Sequence, residues 1–356
     1  MLPSGRGLAW VLLLVSLSLP TAAVATPYEV AVDCDRGGDL ARLLRSLRDA
    51  PPGPVIVRVA GTCSGPVEIT RDGLILRGDS DSAAIQGSPA IGTPVPPIVT
   101  ARGARDILLE NLRISDGAVG LLAADAEVTL EGCDLARTDV ALDAKDATVT
   151  LVRTTLRAAR NGIAARRSHV AVSFGAIRDV SDEGILATEL SQVTLFRAEV
   201  SSDGLSVESH SALSALHCML QGSIHVRAYS RLSLSGASGT TATLRGDIHA
   251  SNSEVFLFQL PLEGTVRVRD AGLLTVIEAD LGEVRLEGGS HARMSSAHIA
   301  GDLFAEGFST AQLSSASVSG VLSCRTGADV VCERSEAGSV SACRSCQPAT
   351  GPGAVP

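Results

Sequence analysis

A short phrase returns along this chain roughly every 19–23 residues, from near residue 105 to near residue 325. Ala126-Glu127-Val128-Thr129-Leu130 recurs as Ala147-Thr148-Val149-Thr150-Leu151, then as Ser168-His169-Val170-Ala171-Val172 and Ser191-Gln192-Val193-Thr194-Leu195. Later copies begin at Ser211, Ser230, Ser253 and Ser309. Apolar and polar residues alternate in each copy, so a strand sends its apolar pair, such as Val128 and Leu130, to one face. A unit this short cannot bury that face alone and must stack on its neighbours. The repeat therefore predicts an all-β fold, a solenoid, with Val128, Val149, Val170 and Val193 in one interior column.

Each unit parses further. After a bend comes another inward residue (Leu135, Leu156, Ile177, Val200) and then a turn (Asn161-Gly162, Glu183-Gly184, Asp203-Gly204). A last strand follows, such as Ile163 to Ala165 or Leu205 to Val207. Three short strands and three bends make one coil, paired in parallel with the coils above and below. From residue 220 the last strand changes form. Leu220-Gln221-Gly222-Ser223-Ile224-His225-Val226 recurs as Leu244-Arg245-Gly246-Asp247-Ile248-His249-Ala250 and as Leu262-Glu263-Gly264-Thr265-Val266-Arg267-Val268.

The ends read differently. Residues 1–25 have the form of a secretory signal: Arg6, an apolar run from Leu8 to Leu19, Pro20 and the small-x-small Ala23-Val24-Ala25, with cleavage expected after Ala25. That run is shorter than the ~20 residues of a membrane span. Charges interrupt every later apolar run, so no transmembrane segment is expected after signal removal. Within residues 26–54, Asp39 to Ala50 reads as an amphipathic helix, with Leu40, Leu43, Leu44 and Leu47 on one face and Pro51-Pro52-Gly53 ending it. Such a helix covers the open apolar end of the first coil. The solenoid is expected over 55–332, with an irregular loop at 78–97. Residues 333–356 should form a Cys-containing tail, partly disordered.

Charge and cysteine content narrow the function. A formal charge of −9 argues against a nucleic-acid role, which needs a basic footprint. Eight cysteines fit an oxidising, secreted or periplasmic location. Cys34 and Cys63 flank the helix and are expected to pair, stabilising by roughly 3–4 kcal/mol through loop closure. Cys324, Cys332, Cys343 and Cys346 crowd the C-terminus, where disulfides are favoured over a zinc site and their pairing is open. Cys133 and Cys218 lie four coils apart on a stack rising ~4.8 Å per coil, out of mutual reach, and read as packed thiols. Nothing calls for a cofactor or a metal.

The helix, the Val55-Ile56-Val57-Arg58-Val59 strand, the Gly61-Thr62-Cys63 turn and the coils together resemble the right-handed parallel β-helix proteins of the pectin lyase-like superfamily, over about residues 39–332. The resemblance implies a right-handed parallel β-helix of about eleven coils, some ~50 Å long, with an N-terminal capping helix. Enzymes of that superfamily mostly act on polysaccharides, but their signatures are missing here. Polygalacturonase-like enzymes carry Asn-Thr-Asp, Asp-Asp, Gly-His and Arg-Ile-Lys elements. This chain has no Asp-Asp pair and no Gly-His, and Lys145, its only lysine, rules out Arg-Ile-Lys. The carboxylate cluster of calcium-dependent pectate lyases and the glycine-rich calcium nonapeptide are missing too.

Two constellations remain. His225, His249, Arg267 and Arg285 each lie between inward apolar residues, at matching positions of successive coils, so alternation turns them outward. They would form a basic stripe able to follow an acidic polysaccharide, with a solvated face as the plainer reading. Glu183 and Asp203, in successive turns, could approach within ~5–7 Å and act as paired carboxylates. Glu-Gly and Asp-Gly are also simple turn formers. No catalytic residue is assigned. The favoured function is an exported, monomeric, non-catalytic β-helix protein that binds glycan or serves a structural role at the cell surface or in the periplasm. A diverged polysaccharide lyase, hydrolase or epimerase is the alternative, and an adhesin-like passenger is a third reading. The only tryptophan, Trp10, lies in the signal, which weighs against a sugar cleft with an aromatic platform.

Overall fold

The computed structural model describes residues 27–87, 95–236, 242–343 and 346. The predicted signal, the tail beyond Cys346 and part of the expected 78–97 loop lie outside the described residues. The strands of the repeated phrase stack into one parallel sheet of 15 strands, the first sheet, running from Tyr28–Asp33 to Asp329–Glu333. Val128 faces Val149, Val149 faces Val170 and Val170 faces Val193, and all four are buried in the expected interior column. The remaining strands also pair in parallel from coil to coil and form the other faces, the second sheet. The fold is a parallel β-solenoid.

The interior is aliphatic: Val, Leu, Ile and Ala fill it, and none of the six phenylalanines or two tyrosines is buried. Each fully buried Val, Leu or Ile stabilises by roughly 1.5–3 kcal/mol, so these columns are the main source of cohesion. Arginine forks add cross-coil clamps outside. Arg157 and Arg167 each donate twice, to Asp134 and to Asp146, at 2.7–2.8 Å. That planar bidentate geometry is unavailable to lysine.

The bends explain two features of the repeat. Ser168, Ser191, Ser211, Ser230 and Ser253 are buried, one per coil. Their hydroxyl oxygens accept the N–H groups of Ala147, Ser168, Ser191, Ser211 and Ser230 at 3.1–3.3 Å. The leading serine of these five phrases thus satisfies a buried amide at the bend. From residue 220 one corner becomes a glycine column. Gly246 has φ +141°, and a Cβ there would lie 2.3 Å from the Gly222 carbonyl oxygen. Gly264 stands in the same relation to Gly246. The altered last strand is the sequence form of that tight corner.

Three expectations need correction. Between Arg113 and Thr188 the second and third strands of each coil run on as one strand of 12 or 13 residues. A single left-handed residue, such as Asp116 or Arg137, absorbs the bend between them. The helix spans only Leu40–Ser46, with Asp39 accepting the Arg42 N–H at 2.9 Å as its N-cap. It stops early because the Arg71 guanidinium takes up the carbonyls of Leu47, Ala50, Pro51 and Gly53. Pro51 also disfavours helical geometry at Ala50. The solenoid has about thirteen turns, not about eleven. Strands Ala84–Gln86 and Glu336–Ser341 pair with neighbouring coils in stretches that read as loop and tail.

Cys34 and Cys63 form the expected disulfide, with Cα atoms 5.0 Å apart. Cys324 pairs with Cys343, and Cys332 with Cys346, which closes the question left by their spacing. Cys133 and Cys218 are buried free thiols, and burial pushes the Cys133 pKa up to about 11. Among the described residues no helix is long and apolar enough to cross a membrane.

Candidate functional site

Strand alternation on the second sheet builds the candidate site. Buried Ile224 and Val226 bracket His225, Ile248 and Ala250 bracket His249, Val266 and Val268 bracket Arg267, and Val284 and Leu286 bracket Arg285. His225 is in register with His249, His249 with Arg267, and Arg267 with Arg285. All four therefore share one outward column, which continues to Ser206 at one end and Phe304 at the other. The two imidazoles stack with centroids 5.2 Å apart, and the Arg285 guanidinium lies 5.2 Å from the Phe304 ring centroid.

The column is less bare than its residue types imply. Arg267 Nη2 donates to Glu287 at 2.9 Å, while its Nε sits 2.9 Å from the other carboxylate oxygen as an ion pair without hydrogen-bond alignment. Arg285 pairs with Glu283. Pairs this exposed contribute ~0–1 kcal/mol, so an anionic ligand competes with them at little cost.

A second outward column adds Arg227, Ser251 and Arg269, which are in register with one another. Sequence reasoning missed these residues, although each follows an inward residue (Val226, Ala250, Val268) by one. Ser251 is short, and it leaves a notch between the two arginines. The notch is a cavity of about 200 Å³ lined by His225, Arg227, His249, Ala250, Ser251, Arg267 and Arg269. Five of those side chains are cationic or protonatable, and none is a carboxylate. Carboxylates stand at its rim. Glu208 lies 3.6 Å from Arg227, and Asp270 lies 3.5 Å from Arg269 while accepting the Ser251 hydroxyl at 2.7 Å. A carboxylate, sulfate or phosphate group matches the charge of this notch.

Burial, followed by the charges of His249 and Arg227, holds the His225 pKa below the ordinary imidazole value. His225 therefore takes up its proton at a lower pH than the ordinary value of about 6.5.

Glu183 and Asp203 are not brought into register. Glu183 stands opposite Gly204, and Asp203 points into solvent. Glu183 is half-buried, and its Oε1 accepts the Ser206 hydroxyl at 2.7 Å. Its Oε2 is buried without a hydrogen-bond partner among the described residues. Burial raises its pKa, and repulsion from Asp182 and Glu208 adds to the rise. No group of three metal-binding side chains occurs among the described residues.

No family profile matches the chain, and no curated protein matches its sequence. Among solved structures it is similar to the A-module of the Azotobacter vinelandii mannuronan C-5 epimerase AlgE6, at 14% identity and a TM-score of 0.38, over 91% of this chain and 96% of that one. It is also similar to the catalytic domain of a GH87 alpha-1,3-glucanase in complex with tetrasaccharides, at 9% identity and a TM-score of 0.28, over 88% of this chain and 66% of that one.

Proposed function

We propose that this is an exported, monomeric solenoid that binds an acidic polysaccharide along the His225–Arg285 column without transforming it. The observation that carries the reading is the notch at Ser251, where Arg227, Arg267, Arg269 and two histidines converge with no carboxylate in the lining. Successive rungs repeat at ~4.8 Å, so an extended polyanion can meet cations on several coils at once. The three disulfides fit an oxidising location, secreted or periplasmic. The test is affinity electrophoresis through polygalacturonate. The wild-type protein should be retarded, less so at high salt, and Arg267→Glu/Arg285→Glu should lose at least about tenfold in affinity, or ~1.4 kcal/mol. Undiminished retardation of the double variant would return the column to a solvated face.

One observation favours a second reading, a polysaccharide-modifying enzyme. Glu183 has raised proton affinity and an unpartnered buried oxygen, and Ser206, which it binds, is in register with His225. A carboxyl group whose proton affinity is raised by burial is suited to general acid work. Mass analysis of polygalacturonate after prolonged incubation separates the two readings. Product formation that Glu183→Gln abolishes would establish the enzyme, and unchanged polymer would set it aside for that substrate.

A further inference from the structure

The phenylalanine side chains of this protein lie on the outer side of its fold. Phenylalanine is ordinarily among the most buried residue types, yet all six lie outside the core. Four of them, Phe174, Phe196, Phe256 and Phe258, lie on or beside the outer face of the first sheet. Two outward columns of that face carry no charged residue over seven successive rungs, from Thr150 to Thr275 and from Val152 to Ile277. Those columns mix rings and aliphatic groups (Phe196, Leu216, Phe258) with hydroxyls (Thr194, Ser214, Ser233).

Phe174 is the most telling residue. It is held at φ 56° and is 52% exposed. A bulky side chain in the left-handed region is strained, and an exposed ring gains little from burial in return. Phe174 packs edge-on against Phe196 with centroids 5.4 Å apart, and the Arg197 guanidinium covers both rings at 5.8 and 5.3 Å. With His217 and Met219, Phe174 and Arg197 border a groove of about 750 Å³ at the edge of the sheet, which the paired Arg178 and Glu199 also line. The left-handed backbone belongs to this corner, since Gly132, Arg153 and Arg197 hold it at the equivalent position of neighbouring coils, but an exposed aromatic ring there is not needed to fold the coil.

We propose that this face is a second binding surface, for a neutral polysaccharide chain lying across the stacked coils. A sugar ring has apolar C–H faces and a rim of hydroxyls, and this face alternates rings with hydroxyls in the same way. The two columns lack charge, and in the outward column beside them Arg231 and Glu254 neutralise each other at 2.7 Å, which speaks against an acidic ligand; Glu131 closes one end of the strip against an anionic bilayer. Seven rungs at ~4.8 Å and two columns make a strip of roughly 300 Å². That is well short of the ~800 Å² per partner of a stable protein interface. This inference is independent of the basic column.

The test is native affinity electrophoresis through laminarin, xyloglucan and hydroxyethyl cellulose. The variants are Phe196→Ala/Phe258→Ala and Ser233→Lys, whose side chains point outward, with circular dichroism as the folding control. At least one polymer should retard the wild-type protein independently of salt. Both variants should lose about tenfold in affinity, while Arg267→Glu/Arg285→Glu should keep it. No retardation by any of the three polymers, or retardation that both variants keep, overturns the proposal. So does phosphatidylcholine-vesicle binding or dimer formation that the double phenylalanine variant abolishes, since either would give the face to a bilayer or to a second copy.

Discussion

On coils 212–277 the outward residues of the first sheet include Ser214, Leu216, Phe256 and Phe258, while the last strands of the same stretch turn out His225, His249, Arg267 and their neighbours. Behind both faces lies the same aliphatic core. A strand commits every second residue to the interior and leaves the others free. Folding therefore requires neither the missing charge in two columns of one face nor the clustered charge on the other. Contrast of this kind between two surfaces of one coil is where function leaves a trace. The supports differ as well. Left-handed side-chain residues such as Phe174 and Arg197 border the two uncharged columns, whereas a glycine column carries the basic face.

The largest expected effect breaks the support of one face only. In Gly246→Val the new Cβ meets the Gly222 carbonyl oxygen at 2.3 Å. Calorimetry should show a loss above about 3 kcal/mol, against about 0.5 kcal/mol or less for Ser233→Val on the opposite face. Equal melting of the two variants would mean that the glycine corner is not sterically required. A smaller effect sharpens the contrast in binding. Ser251→Trp fills the notch without altering charge and should weaken polygalacturonate binding about tenfold, leaving neutral-polymer binding as it was. Loss of both would merge the two surfaces into one.

The smallest effect is one of pH. With its folded pKa below the unfolded value of about 6.5, His225 favours the native state fully above that pH. That contribution is lost as pH falls through 6.5 toward the folded pKa, because the unfolded chain protonates first. Thermal melts of His225→Asn should therefore lose less stability between about pH 7 and pH 5 than the wild type does. A steeper loss in the variant would show that His225 is stabilised by its charge.

The fold was legible because periodicity survives in sequence: the valine column, the inward pairs and the outward placement of His225, His249, Arg267 and Arg285 all follow from a period of two inside a period near 21. The helix end was not legible, because it depends on Arg71, about 20 residues away from the carbonyls it caps. Nor were the extra turns, since Ala84–Gln86 and Glu336–Ser341 are strands by pairing and carry no repeat phrase. Glu183 and Asp203 sit in successive turns of the sequence but are not opposite each other. Register shifts between Val180 and Ile185 put Glu183 opposite Gly204, and no count of residues per coil reveals such a slip. The aromatic face stayed hidden because Phe196 and Phe258 read as ordinary alternating residues until the interior proved to contain no rings.

The most direct measurement is residue-resolved carbethoxylation of the seven histidines with and without polygalacturonate. His225 and His249 should be protected. His169, His210, His217, His291 and His298, which lie outside the column, should react at unchanged rates and serve as internal controls. Protection spread evenly over all seven, or confined to His210 and His217, would contradict the assignment of the anionic ligand to the second sheet.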